Sequence, residues 1–208
     1  MKRGYKIADM SSKIIIIRHA PTKYNKEELF MGSMDISADE IDATQVEQVR
    51  SVILQEGCVA LYSSPLRRAV ETAQAIGGCQ FQILTDSRLV ERGLGEWEGI
   101  AKAVVYRQYG EAFQDGKMDF YYTPPQGEAY GPLIQRVSSF LLDVYRPNRN
   151  IAVVTHNGIF RVMKSLLTGD GLSNVFSTYE PYLTPECFIL NQTILDTLNH
   201  NPFYTVDK

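Results

Sequence analysis

The chain has only three cysteines in 208 residues, Cys58, Cys79 and Cys187. An odd number at wide spacing excludes a disulfide framework, and no pair stands at the separation of a zinc or redox motif. The positions six residues beyond them hold Ser64, Thr85 and Thr193, so a cysteine-based phosphatase loop of the C-x5-R type is absent. Such cysteines read as buried or half-buried packing residues. Long apolar runs are missing too. Aliphatic stretches such as residues 14–17 fall far short of the roughly 20 residues that a membrane-spanning helix needs, and residues 1–13 lack the apolar centre of a secretion signal. Nor is one sign of charge in excess. With 21 Lys+Arg against 24 Asp+Glu, the net charge of -3 provides no global positive field for nucleic acid or an anionic membrane. The expectation is a cytoplasmic protein with no nucleic-acid or membrane partner, in which any anion recognition is local.

What is present reads as globular. A hydrophobic fraction of 44% with 22% charged residues is that of a chain able to bury a core, and the length fits one domain over 1–208. Short β-branched runs alternate with stretches of helical period, the pattern of a mostly parallel sheet covered by helices. The expected fold is α/β: a three-layer α/β/α sandwich with a mostly parallel central sheet. Residues 13–17 and 151–155 read as central strands, 59–62, 82–84 and 187–190 as weaker ones, and 194–198 as an antiparallel edge. An exposed edge strand allows a homodimer. Helices are expected over 39–56, capped by Asp39, and over 65–76, 132–145 and 159–167. Residues 100–130 break the alternation and carry Tyr106, Tyr109, Phe113, Phe120, Tyr121, Tyr122 and Tyr130. They read as a small helical cap, whose aromatics either glue it to the core or touch substrate. Residues 1–12 read as an N-terminal extension.

In open α/β sheets, ligands bind beyond the carboxyl ends of strands. Two of the three histidines, His19 and His156, stand there, the first preceded by Arg18; His200 lies in a polar tail. A third strand end carries Ser63, Ser64, Arg67 and Arg68 at the start of a helix, a composition suited to oxyanions. Neighbours on a helix point about 100° apart, so one of the two arginines is solvated. Residues 89–99 place Glu91, Glu96 and Glu98 around the single tryptophan, Trp97. Glu91 follows an apolar pair, a setting that raises a carboxyl pKa as a general acid requires, whereas Glu96 and Glu98 read as solvated loop charges.

These residues converge on a family. Arg18-His19-Ala20-Pro21-Thr22-Lys23-Tyr24-Asn25 resembles the R-H-G-x-T-x-x-N signature of the histidine phosphatase superfamily, the phosphoglycerate-mutase-like clan. Residues 63–73, S-S-P-L-R-R-A-V-E-T-A, resemble its S-S-P-L-x-R-A-x-x-T-A. Residues 89–99 are similar to its L-x-E-x-x-x-G-x-W-E-G, and 155–161 to its S-H-G-G-x-x-R. Ala20 replaces a glycine; Pro124-Pro125-Gln126-Gly127-Glu128-Ala129 departs from P-P-G-G-E-S and His156-Asn157-Gly158 from H-G-G, so the loops around the entrance, which bear on substrate preference, differ from the family's.

The resemblance implies a phosphohistidine mechanism with no metal and no cofactor. His19 is the implied nucleophile, kept neutral by nearby arginine charge. Arg18, Arg68 and His156 would clamp the phosphoryl oxygens, and Glu91 would serve as acid and then base. Asn25, Asn157 and the Gly158 amide would bind substrate. Thr22 would either do the same or cap the first helical turn. The partner is a small-molecule phosphomonoester, in the branch of broad-specificity and α-ribazole-phosphate phosphatases, and Tyr24, Phe30 and Met31 suggest an apolar or planar leaving group. Three alternatives stand: a phosphoglycerate-mutase-type transfer, a non-catalytic phospho-ligand binder, and a zinc site of His₂Glu type, which the flanking arginines oppose.

Overall fold

Isoleucines 14–17 and the run Ile151–Thr155 form the middle of a five-stranded sheet, since unbroken β-branched runs suit strands covered on both faces. The computed structural model describes residues 11–114, 117–119, 121–171 and 178–200. Its strands are β1 (Ser12–Arg18), β2 (Ala60–Ser63), β3 (Ile83–Thr85), β6 (Ile151–Thr155) and β7 (Pro185–Leu190), in the order β3-β2-β6-β1-β7. All neighbours are parallel except β7, which runs antiparallel to β1 at the edge. A two-stranded ribbon of β4 (Phe113–Gln114) and β5 (Lys117–Met118) stands apart.

Alternate side chains of the central strands face opposite layers. Ile15, Ile17, Ala152 and Val154 pack against α2 (Ala43–Gln55) and α3 (Arg67–Gly77). Ile14, Ile16 and Val153 pack against α5 (Tyr130–Val144), α6 (Asn157–Thr168) and α7 (Gln192–Asn199). The three-layer sandwich expected from the alternation is therefore present. The four isoleucines of β1 are fully buried, and each contributes about 1.5–3 kcal/mol relative to an exposed side chain. Among the described residues no helix is long and apolar enough to cross a membrane.

Several elements differ from the sequence reading. Residues 194–198 are not an edge strand but lie in α7, capped by Asn191, whose Oδ1 accepts from Ile194 N at 3.1 Å. Leu195 and Leu198 bury a helical face there, and β7 takes the edge. Helix α2 is capped by Asp42, which accepts from Thr44 and Gln45 N–H groups, while Asp39 pairs with Lys26 at 2.7 Å. Ile41, just before the cap, joins Val46 in the same cluster as a hydrophobic staple. Helix α3 starts at Arg67, two residues late, and α5 and α6 start two residues early. Pro132 fits in the first turn of α5, where a missing N–H costs nothing. Cys79 and Cys187 are exposed; only Cys58 is buried, and its thiol is pushed up to about 12 chiefly by burial.

The cap is mixed rather than helical. It comprises α4 (Lys102–Gln108), a turn at Gly110–Ala112 and the ribbon. Its aromatics mostly serve as glue: Phe113 and Tyr122 stack on Trp97 with centroids 5.6 Å away, and Tyr109 packs at 5.3 Å. The N-terminal extension through residue 10, and Phe120, lie outside the described residues. A four-residue helix, α1 (Lys23–Lys26), follows β1.

Candidate active site

Sheet register brings three strand ends together. Arg18 pairs with Thr155 and Ser63 with Val154, so His19, Ser64 and His156 emerge side by side at the carboxyl end of the sheet. Of these, His19 borders a cavity of about 540 Å³ whose wall also includes Arg18, Asn25, Arg68, Glu91, Asn157 and Gly158.

His19 is buried, and its Nδ1 donates to the Ala20 carbonyl at 2.6 Å. That bond fixes the tautomer, leaving the Nε2 lone pair without a hydrogen-bond partner among the described residues, on a ring that lines the cavity. Because the acceptor is a backbone carbonyl, alanine at position 20 preserves it. Burial, then the Arg68 and Arg18 charges, push the imidazole well below its ordinary value of 6.5. Arginine charge, the cause expected from the sequence, contributes, but burial is the larger cause.

His156 is fully buried 5.0 Å from the His19 ring and does not line the cavity. Its Nδ1 accepts from Arg68 Nε at 3.2 Å, so its Nε2–H donates to Ser64 Oγ at 2.7 Å. It buttresses Arg68 from behind. Burial and the Arg68 charge depress its pKa as well. Two histidines that resist protonation make stability pH-dependent. The unfolded imidazoles titrate near 6.5, so the unfolded chain takes up protons that the folded one refuses. Stability is complete above about pH 6.5 and falls below it by about 1.4 kcal/mol per pH unit per histidine, until the depressed folded values are reached. Chemical denaturation at pH 7.5 and 5.5 measures this; equal stabilities would contradict the assignment.

Arg68 is wholly buried at the start of α3. Its Nη1 and Nη2 donate to the Met34 and Gly32 carbonyls at 2.6 and 2.9 Å, which leaves one N–H on each nitrogen for a ligand. Arg67 is the solvated neighbour, paired with Asp35. Arg18 donates from Nη1 to Glu180 O at 2.7 Å and from Nη2 to the Tyr182 hydroxyl at 2.9 Å.

Glu91 is half-buried, and its carboxylate accepts from Arg92 N at 2.9 Å and Gly158 N at 3.1 Å. The Gly158 amide thus holds the acid. Thr155 Oγ1 secures the same segment by donating to Leu89 O at 2.9 Å. A Cβ on Gly158 would lie 2.5 Å from Glu91 Oε1. Gly158→Ala is expected to displace Glu91 and lower kcat about 100-fold for substrates with poor leaving groups, with little change in unfolding midpoint; unchanged kcat would contradict the placement. Glu98 proves to be a loop staple, accepting from Ser33 N and Leu94 N, and Glu96 accepts from Gln126. Gln126 has φ +57°, left-handed backbone at a position where the family pattern has glycine.

Thr22 is fully buried and forms a capping box with Asn25: Asn25 N donates to its Oγ1, and Asn25 Oδ1 accepts from Thr22 N at 3.0 Å. Asn25 and Asn157 reach the cavity wall; Thr22 does not. Phe30, Met31, Tyr106 and Tyr130 reach it too, whereas Tyr24 does not. The carboxylate and two histidines of the zinc reading form no group of three metal donors among the described residues.

Sequence reasoning gave no role to four cations on the same wall, Arg92, Lys102, Lys117 and Arg161. Arg161 had a signal, since it follows Asn157 by one helical turn and shares its face. Arg92 had one in its adjacency to Glu91; it is buried over the Tyr130 ring at 3.8 Å and donates to Glu128 O and Tyr122 O. Lys102 and Lys117 reach the cavity only through the fold of the cap.

The sequence model of the histidine phosphatase superfamily (branch 1) matches residues 14–181. A putative phosphoserine phosphatase 2 from Hydrogenobacter thermophilus is 30% identical over 174 residues, 80% of this chain and 84% of that protein. Among solved structures, mycobacterial glucosyl-3-phosphoglycerate phosphatase superposes with a TM-score of 0.74 at 23% identity, over 85% of this chain and 92% of that one. A putative α-ribazole-5′-phosphate phosphatase from Escherichia coli does so with a TM-score of 0.74 at 22% identity, over 87% and 91%. The family match spans every segment that carries His19, Arg68, Glu91 and His156, and the chain belongs to the histidine phosphatase superfamily.

Proposed function

We propose that the protein is a phosphomonoesterase that hydrolyses small-molecule substrates through a phosphohistidine on His19, without a metal ion. The observation that carries this reading is a neutral, buried imidazole with Nδ1–H tied to Ala20 O and Nε2 turned to a cavity walled by Arg18, Arg68 and Glu91. Nε2 attacks phosphorus as the ester P–O bond breaks. Arg18 and Arg68 hold the phosphoryl oxygens, whose charge dominates the transition state. Glu91, protonated for this step, gives its proton to the leaving alkoxide. The resulting carboxylate then takes a proton from the water that cleaves the N–P bond, restoring His19 and releasing phosphate.

Hydrolysis is favoured over mutase transfer because the cap is small. Lys117 and Tyr179 are exposed on the cavity wall, so water reaches the intermediate that a mutase must shield. The four extra cations, which share the cavity wall with the apolar Leu29, Phe30 and Met31, favour a substrate with a second anionic group. The named activities of two relatives, on phosphoserine and glucosyl-3-phosphoglycerate, involve such compounds. The exposed thiols of Cys79 and Cys187 suit a reducing, cytoplasmic location, and the outer edge of β7 offers a surface for a homodimer.

The test is phosphate release in excess EDTA from p-nitrophenyl phosphate, 3-phosphoglycerate and phosphoserine, with the double variant Lys102→Gln/Lys117→Gln alongside. Turnover persists in EDTA, and the double variant raises KM about tenfold for the two carboxylates only, as expected from the loss of two partly screened charge contacts. Loss of turnover in EDTA contradicts the metal-free reading. Isomerisation of 3-phosphoglycerate in the presence of 2,3-bisphosphoglycerate with little free phosphate contradicts hydrolysis.

A further inference from the structure

Tyr182 lies one residue beyond the family match and in none of the four motifs, yet the chain folds it against the first of them. Its backbone bridges to Arg18 in parallel, and Leu183 N donates to Arg18 O at 3.0 Å. Leu183 adopts φ +49°, a left-handed conformation that strains any residue with a Cβ. Such strain persists where the surroundings over-determine it, often at functional sites.

The side chain lies on the cavity wall with its ring 6.0 Å from that of His19, and the Arg18 guanidinium carbon sits 3.9 Å from the ring centroid. A phenol both accepts and donates. Here the oxygen already accepts from Arg18 Nη2 at 2.9 Å, whereas no group among the described residues takes the hydroxyl proton. A cation bonded to the oxygen polarises the O–H and strengthens it as a donor. Arg18 Nη2 has a second N–H, and an anionic oxygen held by it comes within reach of the phenol.

Resting on the phosphatase reading, we propose that Tyr182 is a further catalytic residue, whose O–H donates to the phosphoryl oxygen held by Arg18. The pair then acts as one clamp, Arg18 supplying charge and Tyr182 a neutral, directional bond that tightens as charge develops on that oxygen.

Tyr182→Phe keeps the ring beneath Arg18 and removes only the hydroxyl. The expected result is a fall of about tenfold in kcat/KM for p-nitrophenyl phosphate, a matching loss of inhibition by orthovanadate, and an unchanged unfolding midpoint. A second variant carries a fluorinated tyrosine at 182, which retains the hydroxyl but ionises at lower pH. Because the donor must be protonated, the alkaline limb of kcat/KM moves to lower pH in this variant, a shift that a merely structural tyrosine would not cause. Unchanged kinetics in folded Tyr182→Phe, or an unmoved alkaline limb, overturns the proposal. If Tyr182→Phe fails to fold, the fluorinated variant decides alone. Wild-type protein that neither turns over nor binds vanadate overturns the phosphatase reading itself, and this proposal with it.

Discussion

His19→Ala abolishes turnover of every phosphomonoester that the wild type accepts, a loss of at least about 10⁴-fold in kcat, because the covalent intermediate forms on the imidazole that the substitution removes. The substitution leaves Arg18 and Arg68 in place, so orthovanadate and inorganic phosphate continue to bind, more weakly. This pattern separates a nucleophile from a ligand-holding residue, whose loss would raise KM before it lowered kcat. Wild-type pH dependence gives a second reading of the same atom. A nucleophile that must be neutral loses activity once protonated, and burial together with Arg68 and Arg18 keeps His19 unprotonated well below 6.5. The kcat/KM profile therefore shows no acid limb at the ordinary imidazole value. Retained turnover in His19→Ala, or an acid limb near pH 6.5 traced to His19, would contradict the assignment.

Glu91→Gln lowers kcat about 10²- to 10³-fold for alkyl phosphates, whose alkoxides need a proton to leave. For p-nitrophenyl phosphate, with its stable leaving anion, the first step suffers far less. The phosphoenzyme accumulates instead, since the base that activates water is gone, and a burst of p-nitrophenol precedes slow turnover. Arg92 N bonds Oε1 and Gly158 N bonds Oε2, so glutamine keeps one of the two acceptors, and the unfolding midpoint of the variant checks that local structure survives. Equal losses for alkyl and aryl esters without a burst would show that Glu91 is not the proton donor.

Much of this site is legible in the sequence because its residues stand where local rules place them. Isoleucines 14–17 and residues 151–155 can only be central strands, and whatever follows two such strands in a parallel sheet faces the ligand side, which points to His19 and His156. The role of His156 is less legible: its placement behind Arg68 depends on how α3 packs on β6. The capping of Thr22 by Asn25, with one residue on the cavity wall and one beneath it, is a three-residue spacing that sequence shows but does not interpret. Asp39 and Asp42 both stand before the α2 pattern, and only the hydrophobic staple of Ile41 on Val46 selects Asp42. In α7 a short apolar pattern fits either period, and burial of Leu195 and Leu198 decides for the helix. The cap ribbon pairs only Phe113 with Met118 and Gln114 with Lys117, too short a stretch to leave an alternation. Lys102, Lys117 and Tyr182 reach the cavity through tertiary packing alone, with no periodicity or motif around them. In the proposed function the two lysines are the ones that bear on substrate choice, which is why the reaction class is easier to read than the substrate.

Trapping the intermediate tests the central claim most directly. Wild-type protein is mixed with a phosphomonoester labelled in its phosphoryl group, quenched in base within one turnover, digested and mapped. The account predicts an acid-labile, base-stable phosphoryl group on the peptide containing His19, formed faster than turnover and lasting longer in Glu91→Gln. Full turnover with no labelled enzyme, or label on any residue other than His19, would contradict it.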